Sequence, residues 1–91
     1  MTRFELARTL GLRSMALSQG QPPNVVVEDV HLAQDTLYVA ARELKGRVLD
    51  AKVKREDGTT YDVRTAKLPL GLDIYLDTRD GESRSYALHA S

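Results

Sequence analysis

The residues of this chain that could do chemistry are two histidines and three pairs of carboxylates. His31 and His89 lie far apart along the sequence, and neither belongs to a spacing that metal ligands use. The chain has no cysteine, which excludes a thiolate nucleophile and a zinc–thiolate site. The carboxylate pairs fall in expected strand edges or turns, where solvated acids are common; they are Glu28–Asp29, Glu56–Asp57 and Asp73 with Asp77. We therefore predict no catalytic residue, no metal, no cofactor and no small-molecule substrate.

Length and charge narrow the possible partners. A chain of 91 residues makes one small domain, and its 13 basic and 13 acidic residues balance to zero. This balance argues against the broad basic face of an independent nucleic-acid-binding protein, so we expect no direct specific contact with nucleic acid. No apolar run approaches the roughly 20 residues that span a bilayer, and the N-terminus lacks a signal-peptide pattern. We expect an intracellular protein, in nucleus, cytoplasm or virion, that is neither secreted nor membrane-bound.

The first element that could position a functional surface is a helix from Thr2 to about Ser18. Thr2 and Glu5 form a T-x-x-E capping box, which satisfies free amide groups at a helix start. Gly20 and the two prolines that follow it end the helix. At about 100° per residue, apolar side chains form a broad stripe with small residues along its centre, including Gly11. Such small residues allow close approach by another backbone, although the periodicity alone favours an ordinary core helix.

A second helix is predicted after Asp35, which can cap the sequence TLYVAARELK. Apolar residues recur there at i, i+3, i+4 and i+7, and Gly46 is a natural C-terminal stop. The preceding segment, Asn24 to Leu32, is expected to be extended or loop-like. The alternative is a hairpin of Val25–Ala33 with Thr36–Arg42, since several residues of the second segment suit strands.

The second half of the chain predicts two hairpins. In the first, Leu49, Ala51 and Val53 alternate with charged residues before a tight turn at Asp57-Gly58. In the second, apolar residues alternate over residues 73–90 around a turn at 79–82. The fold class is therefore α+β: two helices followed by a β-hairpin, with an additional C-terminal β-hairpin.

Five motifs in order give the chain a resemblance to a known family. They are T-R-F-E-x-A-R-x-L-G-x-R, G-x-P, a helix ending A-x-R-E-L-K, a strand with alternating basic residues, and D-G-T-x-Y. This set resembles the small RNA polymerase subunit called omega in bacteria and K in archaea, whose eukaryotic counterpart is shared by the nuclear polymerases and which some DNA viruses encode. The resemblance implies an omega/K-like domain over residues 1–68 and a C-terminal hairpin extension over residues 69–91.

The resemblance also implies a function. Subunits of this family are not catalytic; they clamp the largest polymerase subunit and help it to fold and assemble. That subunit is the partner implied here. The residues that the resemblance places at or near the partner are Thr2, Arg3, Phe4, Glu5, Arg8, Gly11 and Arg13.

The types of these residues suit a protein interface. Phe4 is an aromatic anchor, Arg8 and Arg13 offer planar donor groups to carboxylates or carbonyls, and Gly11 permits close contact. The C-terminal extension could add a strand pair to the partner or cap the chain's own sheet.

The alternative function is a small DNA-binding regulatory module. ELARTLGLRSMALS resembles a helix-turn-helix with Gly11 in the turn. This interpretation requires the first helix to break near Gly11.

Overall fold

The computed structural model describes the backbone of residues 1–90 and the side chains of residues 1–81. Over this part of the chain the elements, in order, are α1 (Arg3–Ser18), α2 (Val30–Ala33), α3 (Thr36–Lys45), β1 (Lys52–Lys54), β2 (Thr60–Asp62) and α4 (Leu70–Ala90). Helices and an antiparallel strand pair occur together, which is consistent with the predicted α+β class. Among the described residues, no helix is both long and apolar enough to cross a membrane.

The first helix begins with the predicted capping box. The Thr2 hydroxyl accepts a hydrogen bond from the Glu5 N–H at 3.1 Å, and the Glu5 carboxylate accepts one from the Thr2 N–H at 2.8 Å. α1 then continues without a break through Gly11 to Ser18. The helix-turn-helix interpretation of this segment is therefore wrong, because the glycine expected in a turn lies in the helix interior.

The helix predicted after Asp35 is confirmed as α3, and the alternative hairpin of Val25–Ala33 with Thr36–Arg42 is wrong. Asp35 caps α3: its carboxylate accepts bonds from the amides of Leu37 and Tyr38 at 3.1 and 3.2 Å. These bonds satisfy donors that a helix start otherwise leaves free. Asp29 caps the four-residue α2 in the same way, so the predicted extended segment ends in a helical turn. The buried residues of α3 are Tyr38, Val39, Ala40, Ala41, Glu43 and Leu44.

The left-handed residue that ends α3 lies one position after the glycine that the sequence predicts as the stop. Gly46 is the C-cap but has φ −77°, whereas Arg47 adopts the left-handed conformation with φ 60°. The Arg47 N–H donates to the Leu44 carbonyl and the Val48 N–H to the Glu43 carbonyl, both at 3.1 Å. This is the Schellman hydrogen-bond pattern, with arginine where glycine is most common.

The predicted hairpin after α3 is confirmed. β1 and β2 are antiparallel, with Val53 opposite Tyr61. The turn uses Gly58 at φ 90°, a conformation that glycine adopts without steric cost. The Arg47 guanidinium donates to the carbonyls of Arg64 and Ala66. The chain that leaves the hairpin is thus tied to the end of α3.

The predicted C-terminal hairpin is wrong, because residues 70–90 form the single helix α4. Ile74 and Leu76 are two positions apart, which on a helix places them on nearly opposite sides; Ile74 is exposed and Leu76 is buried. Leu72 and Leu76, spaced i and i+4, instead lie together in the core.

The core is built around α3. It joins side chains from every helix and from the segments on both sides of the hairpin: Leu10, Leu32, Tyr38, Ala40, Ala41, Leu44, Leu49, Val63, Leu72 and Leu76. Both long helices, α1 and α4, lie against α3. The boundary after residue 68 stays a prediction, although α4 shares this core with the preceding segment.

Candidate protein-binding surface

The outer side of α1 carries apolar side chains that the chain itself does not cover. Phe4 is 89% exposed, Leu12 59% and Met15 58%. Helical geometry places Phe4, Arg8, Gly11 and Met15 in one row, because they are separated by three or four positions. We call this row with the neighbouring Leu12 the outer stripe. Large apolar groups gathered in a row on a helix surface are typical of a protein contact.

Two residues of the outer stripe have no internal role that the structure reveals. Arg8 forms no ion pair or hydrogen bond with any residue whose side chain is described. A Cβ added at Gly11 would meet nothing within 4 Å beyond the helix itself. The small size of Gly11 is therefore not required by packing within the described residues. Thr2 and Arg3, at the start of the same helix, are also exposed.

Glu5 is used within the chain. Besides capping α1, its carboxylate accepts a hydrogen bond from the Arg55 guanidinium at 3.2 Å. The bond from the Thr2 amide, with the nearby Arg55 charge, holds the pKa of the Glu5 carboxyl below its ordinary value. The Arg55 guanidinium also lies 4.9 Å from the centre of the Tyr61 ring. Glu5 thus joins the start of α1 to the hairpin.

Arg13 is turned toward the chain's own interior. Its guanidinium contacts the Glu43 carboxylate at 2.7 and 3.1 Å, and Glu43 is fully buried. It also donates to the Gln21 side chain at 2.9 Å and to the Pro22 carbonyl at 3.1 Å. The backbone N–H of Asn24 also donates to the Glu43 carboxylate at 3.3 Å. Arg13 therefore ties α1, α3 and the intervening loop together.

A groove of about 910 Å³ runs between α1 and β1. One wall is formed by α1, including Phe4, Arg8 and Leu12, and the other by all eight residues from 49 to 56. The charged residues that line it are five basic (Arg8, Arg13, Lys52, Lys54 and Arg55) and three acidic (Glu5, Asp50 and Glu56). The groove has a basic excess, although the whole chain is neutral.

The chain is similar to archaeal and eukaryotic proteins of one kind. It is 34% identical over 56 residues to "DNA-directed RNA polymerase subunit Rpo6" of Methanothermobacter thermautotrophicus, an alignment that covers 62% of this chain and 87% of that protein. The chain belongs to the omega/K family of small RNA polymerase subunits. The membership confirms the family predicted from the ordered motifs.

Two further relatives of this omega/K-family chain are longer than it is. It is 34% identical over 70 residues to Rpo6 of Pyrobaculum aerophilum, covering 75% of this chain and 65% of the relative. It is 38% identical over 72 residues to "Probable DNA-directed RNA polymerases I, II, and III subunit RPABC2" of Caenorhabditis elegans, covering 77% and 50%. The chain thus spans between half and two thirds of the length of these relatives. No family model matches it.

The structure divides the partner residues predicted for this omega/K-family chain into two groups. Those exposed are Thr2, Arg3, Phe4, Arg8 and Gly11, whereas Glu5 and Arg13 make the internal contacts described above. Sequence reasoning missed Glu43 as the partner of Arg13. A signal for Glu43 was present, since it lies four positions after Val39 on the apolar side of α3.

Among the described side chains, no three histidine, cysteine or carboxylate groups form a cluster that could hold a metal ion. His31 is exposed in α2, and the side chain of His89 lies outside the described residues.

Proposed function

We propose that this chain is a non-catalytic accessory subunit of a multisubunit DNA-directed RNA polymerase, where it clamps the largest subunit and supports its folding and assembly. Its relatives are named as subunits of such polymerases. The observation that carries the proposal is the outer stripe of α1, where large apolar groups stand exposed beside Arg8, which has no ion pair or hydrogen bond with any described side chain.

Burial of this stripe would supply most of the binding free energy. Apolar surface contributes about 25 cal/mol for each Å² removed from water, and a buried Phe side chain contributes about 1.5–3 kcal/mol. Arg8 would add hydrogen bonds to a carboxylate or to backbone carbonyls of the partner. Gly11, beside them, leaves room for the partner's backbone. A few such anchors usually dominate an interface.

Co-expression with the largest subunit of the cognate polymerase tests the proposal. The wild-type chain should co-purify with that subunit in fixed stoichiometry. A chain with Phe4→Ala and Arg8→Ala should bind it more weakly by about 2–4 kcal/mol. The matched control is Lys67→Ala with Leu70→Ala, which also removes an exposed cation and an exposed apolar group, although neither residue belongs to α1 or lines the groove.

Two outcomes count against the proposal. If the wild-type chain does not associate with the largest subunit, the proposed function is wrong. If the double variant of α1 is folded by circular dichroism and co-purifies as well as the control, Phe4 and Arg8 are not anchors.

A further inference from the structure

The outer edge of β1 has backbone groups that the hairpin does not use. The Val63 N–H donates to the Ala51 carbonyl, and the Arg55 N–H donates to the Thr59 carbonyl. Because hydrogen-bonded positions alternate along an antiparallel strand, the odd-numbered residues of β1 face β2. The N–H and C=O groups of Lys52 and Lys54 therefore point away from β2, and they have no partner among the described residues.

This free edge opens into the groove beside α1. All residues from 49 to 56 line the groove, with no alternation between even and odd positions. Side chains of a strand alternate between the two faces of a sheet, so a surface lined by every residue is the backbone edge. The groove thus lies where a third strand would add to β1.

The charges around the edge select the kind of strand that would fit. The side chains of Lys52 and Lys54 share one face of the sheet and are exposed, and Val53 between them packs on the core from the other face. Neither Lys52 nor Lys54 forms an ion pair within the described part of the chain. The charge of Lys52 interacts with the carboxylate of Asp62, its cross-strand neighbour. Arg8 lies on the opposite wall.

We propose that the outer edge of β1 binds an extended acidic polypeptide segment as a third strand. Acidic side chains two positions apart would lie beside Lys52 and Lys54, because cross-strand neighbours on one face repeat every second residue. The intervening side chain, on the face of Val53, would be apolar. This inference rests on the proposed function, since the segment is assigned to the largest polymerase subunit. Strand addition of this kind takes its affinity from main-chain hydrogen bonds and its specificity from alternate side chains.

A proline substitution tests the backbone part of the proposal. Lys54→Pro removes an N–H that points into the groove and leaves the bonds between β1 and β2 intact. Lys54→Ala removes the same charge but keeps the N–H. Binding of the co-expressed largest subunit should be about tenfold weaker for the proline variant than for the alanine variant. The matched control is Thr60→Pro, which alters the outer edge of β2, away from the groove, and should bind like wild type.

Charge reversal tests the acidic character of the segment. Lys54→Glu should weaken binding roughly tenfold or more at low salt, with a smaller effect at high salt, because the interaction is screened. Lys67→Glu makes the same change outside the groove and should have little effect.

Amide exchange gives a readout independent of affinity. In the free chain, the amides of Lys52 and Lys54 should exchange faster than those of Val53 and Arg55, which donate to β2. In the complex with the largest subunit, the first two amides should slow by about tenfold or more.

The outcomes separate the two proposals. If the wild-type chain does not bind the largest subunit, the proposed function fails. If it binds, but Lys54→Pro and Lys54→Glu bind as the controls do and the two amides stay unprotected, only strand addition is wrong. Salt-sensitive binding of single-stranded DNA that Lys54→Glu abolishes would also overturn it, because the groove would then serve nucleic acid.

Discussion

The two long helices lie against the same helix α3, but they are attached to it by different means. α1 contributes Leu10 to the core and packs Leu6 and Leu17 against it, and it is also tied to α3 by the Arg13 pair with the fully buried Glu43 and by the Ser14–Thr36 hydrogen bond. α4 contributes two leucines to the core. Its ion pairs, Lys45–Asp73 with α3 and Arg79–Asp35 with the residue that caps α3, lie at partly exposed positions, and the hydroxyl of the buried Tyr38 donates to Asp80.

The difference shows how one helix can belong to a fold and still offer an apolar surface. Leu10 and the Arg13–Glu43 contact on one side fix α1 in place, so Phe4, Leu12 and Met15 need not take part in the core. The described part of α4 buries Leu72 and Leu76 in the core and leaves Leu70 and Ile74 exposed. We favour α1 as the surface for a partner because its exposed apolar groups stand beside Arg8, which has no ion pair or hydrogen bond with any described side chain.

The largest effect is expected from the buried ion pair. Arg13→Met would leave the Glu43 carboxylate inside the protein without its cation, and the free energy of unfolding should fall by about 3–5 kcal/mol. Urea denaturation measures this change. Arg8→Met, the same substitution on the outer stripe, should change stability by less than about 0.5 kcal/mol. Equal effects of the two variants would mean that α1 is not held by Arg13.

A somewhat smaller effect is expected from the apolar attachment of α4. Leu72→Ala should lower the free energy of unfolding by about 2–4 kcal/mol, because it removes a fully buried side chain and leaves a cavity. Ile74→Ala, at an exposed position of the same helix, should cost far less. Thermal and urea unfolding of both variants provide the comparison, and a stable Leu72→Ala chain would show that α4 does not complete the core.

The exposed ion pair of α4 should contribute little. Asp73→Asn breaks the contact with Lys45, and because both side chains are about half exposed, we expect a loss below about 0.5 kcal/mol. The loss should vanish at about 1 M salt. Asp77→Asn is the control, since Asp77 has no ion pair among the described residues. A loss as large as that of Leu72→Ala would contradict attachment by burial.

The smallest effect concerns pH at the start of α1. The pKa of Glu5 is lowered in the fold, so its carboxylate stabilises the capping box above the ordinary pKa of 4.5, and this contribution is lost as pH falls below that value. Between about pH 6 and pH 3, amides of the first turn should lose protection after correction for intrinsic exchange. Glu5→Gln keeps a capping group without a titrating carboxyl, and it should remove the pH dependence.

Features that depend on near neighbours were predictable from the sequence. The Thr2–Glu5 cap, the Asp35 cap and the Asp57-Gly58 turn each involve residues within four positions, and the structure contains all three. The outer stripe also follows from helical spacing, once α1 is known to be a helix.

Features that depend on distant contacts were not predictable in the same way. The resemblance assigns Arg13 to a partner, and local sequence does not reveal its contact with Glu43, which lies 30 positions away. α4 was predicted as a hairpin because Ile74 and Leu76 alternate locally with polar residues, whereas the surface of α3 decides which of them is buried. Tertiary packing outweighs local pattern in both cases.

The lysines at the outer edge of β1 also bear on the solubility of the unassembled chain. An open strand edge is a template for a second copy, and proteins often protect such edges with lysine. If two copies paired edge to edge, Lys52 and Lys54 of one strand would lie beside the same lysines of the other, and their like charges would repel. Replacing both with serine should therefore increase self-association in sedimentation experiments. The positive charges that suit an acidic strand also discourage aggregation while the chain is alone.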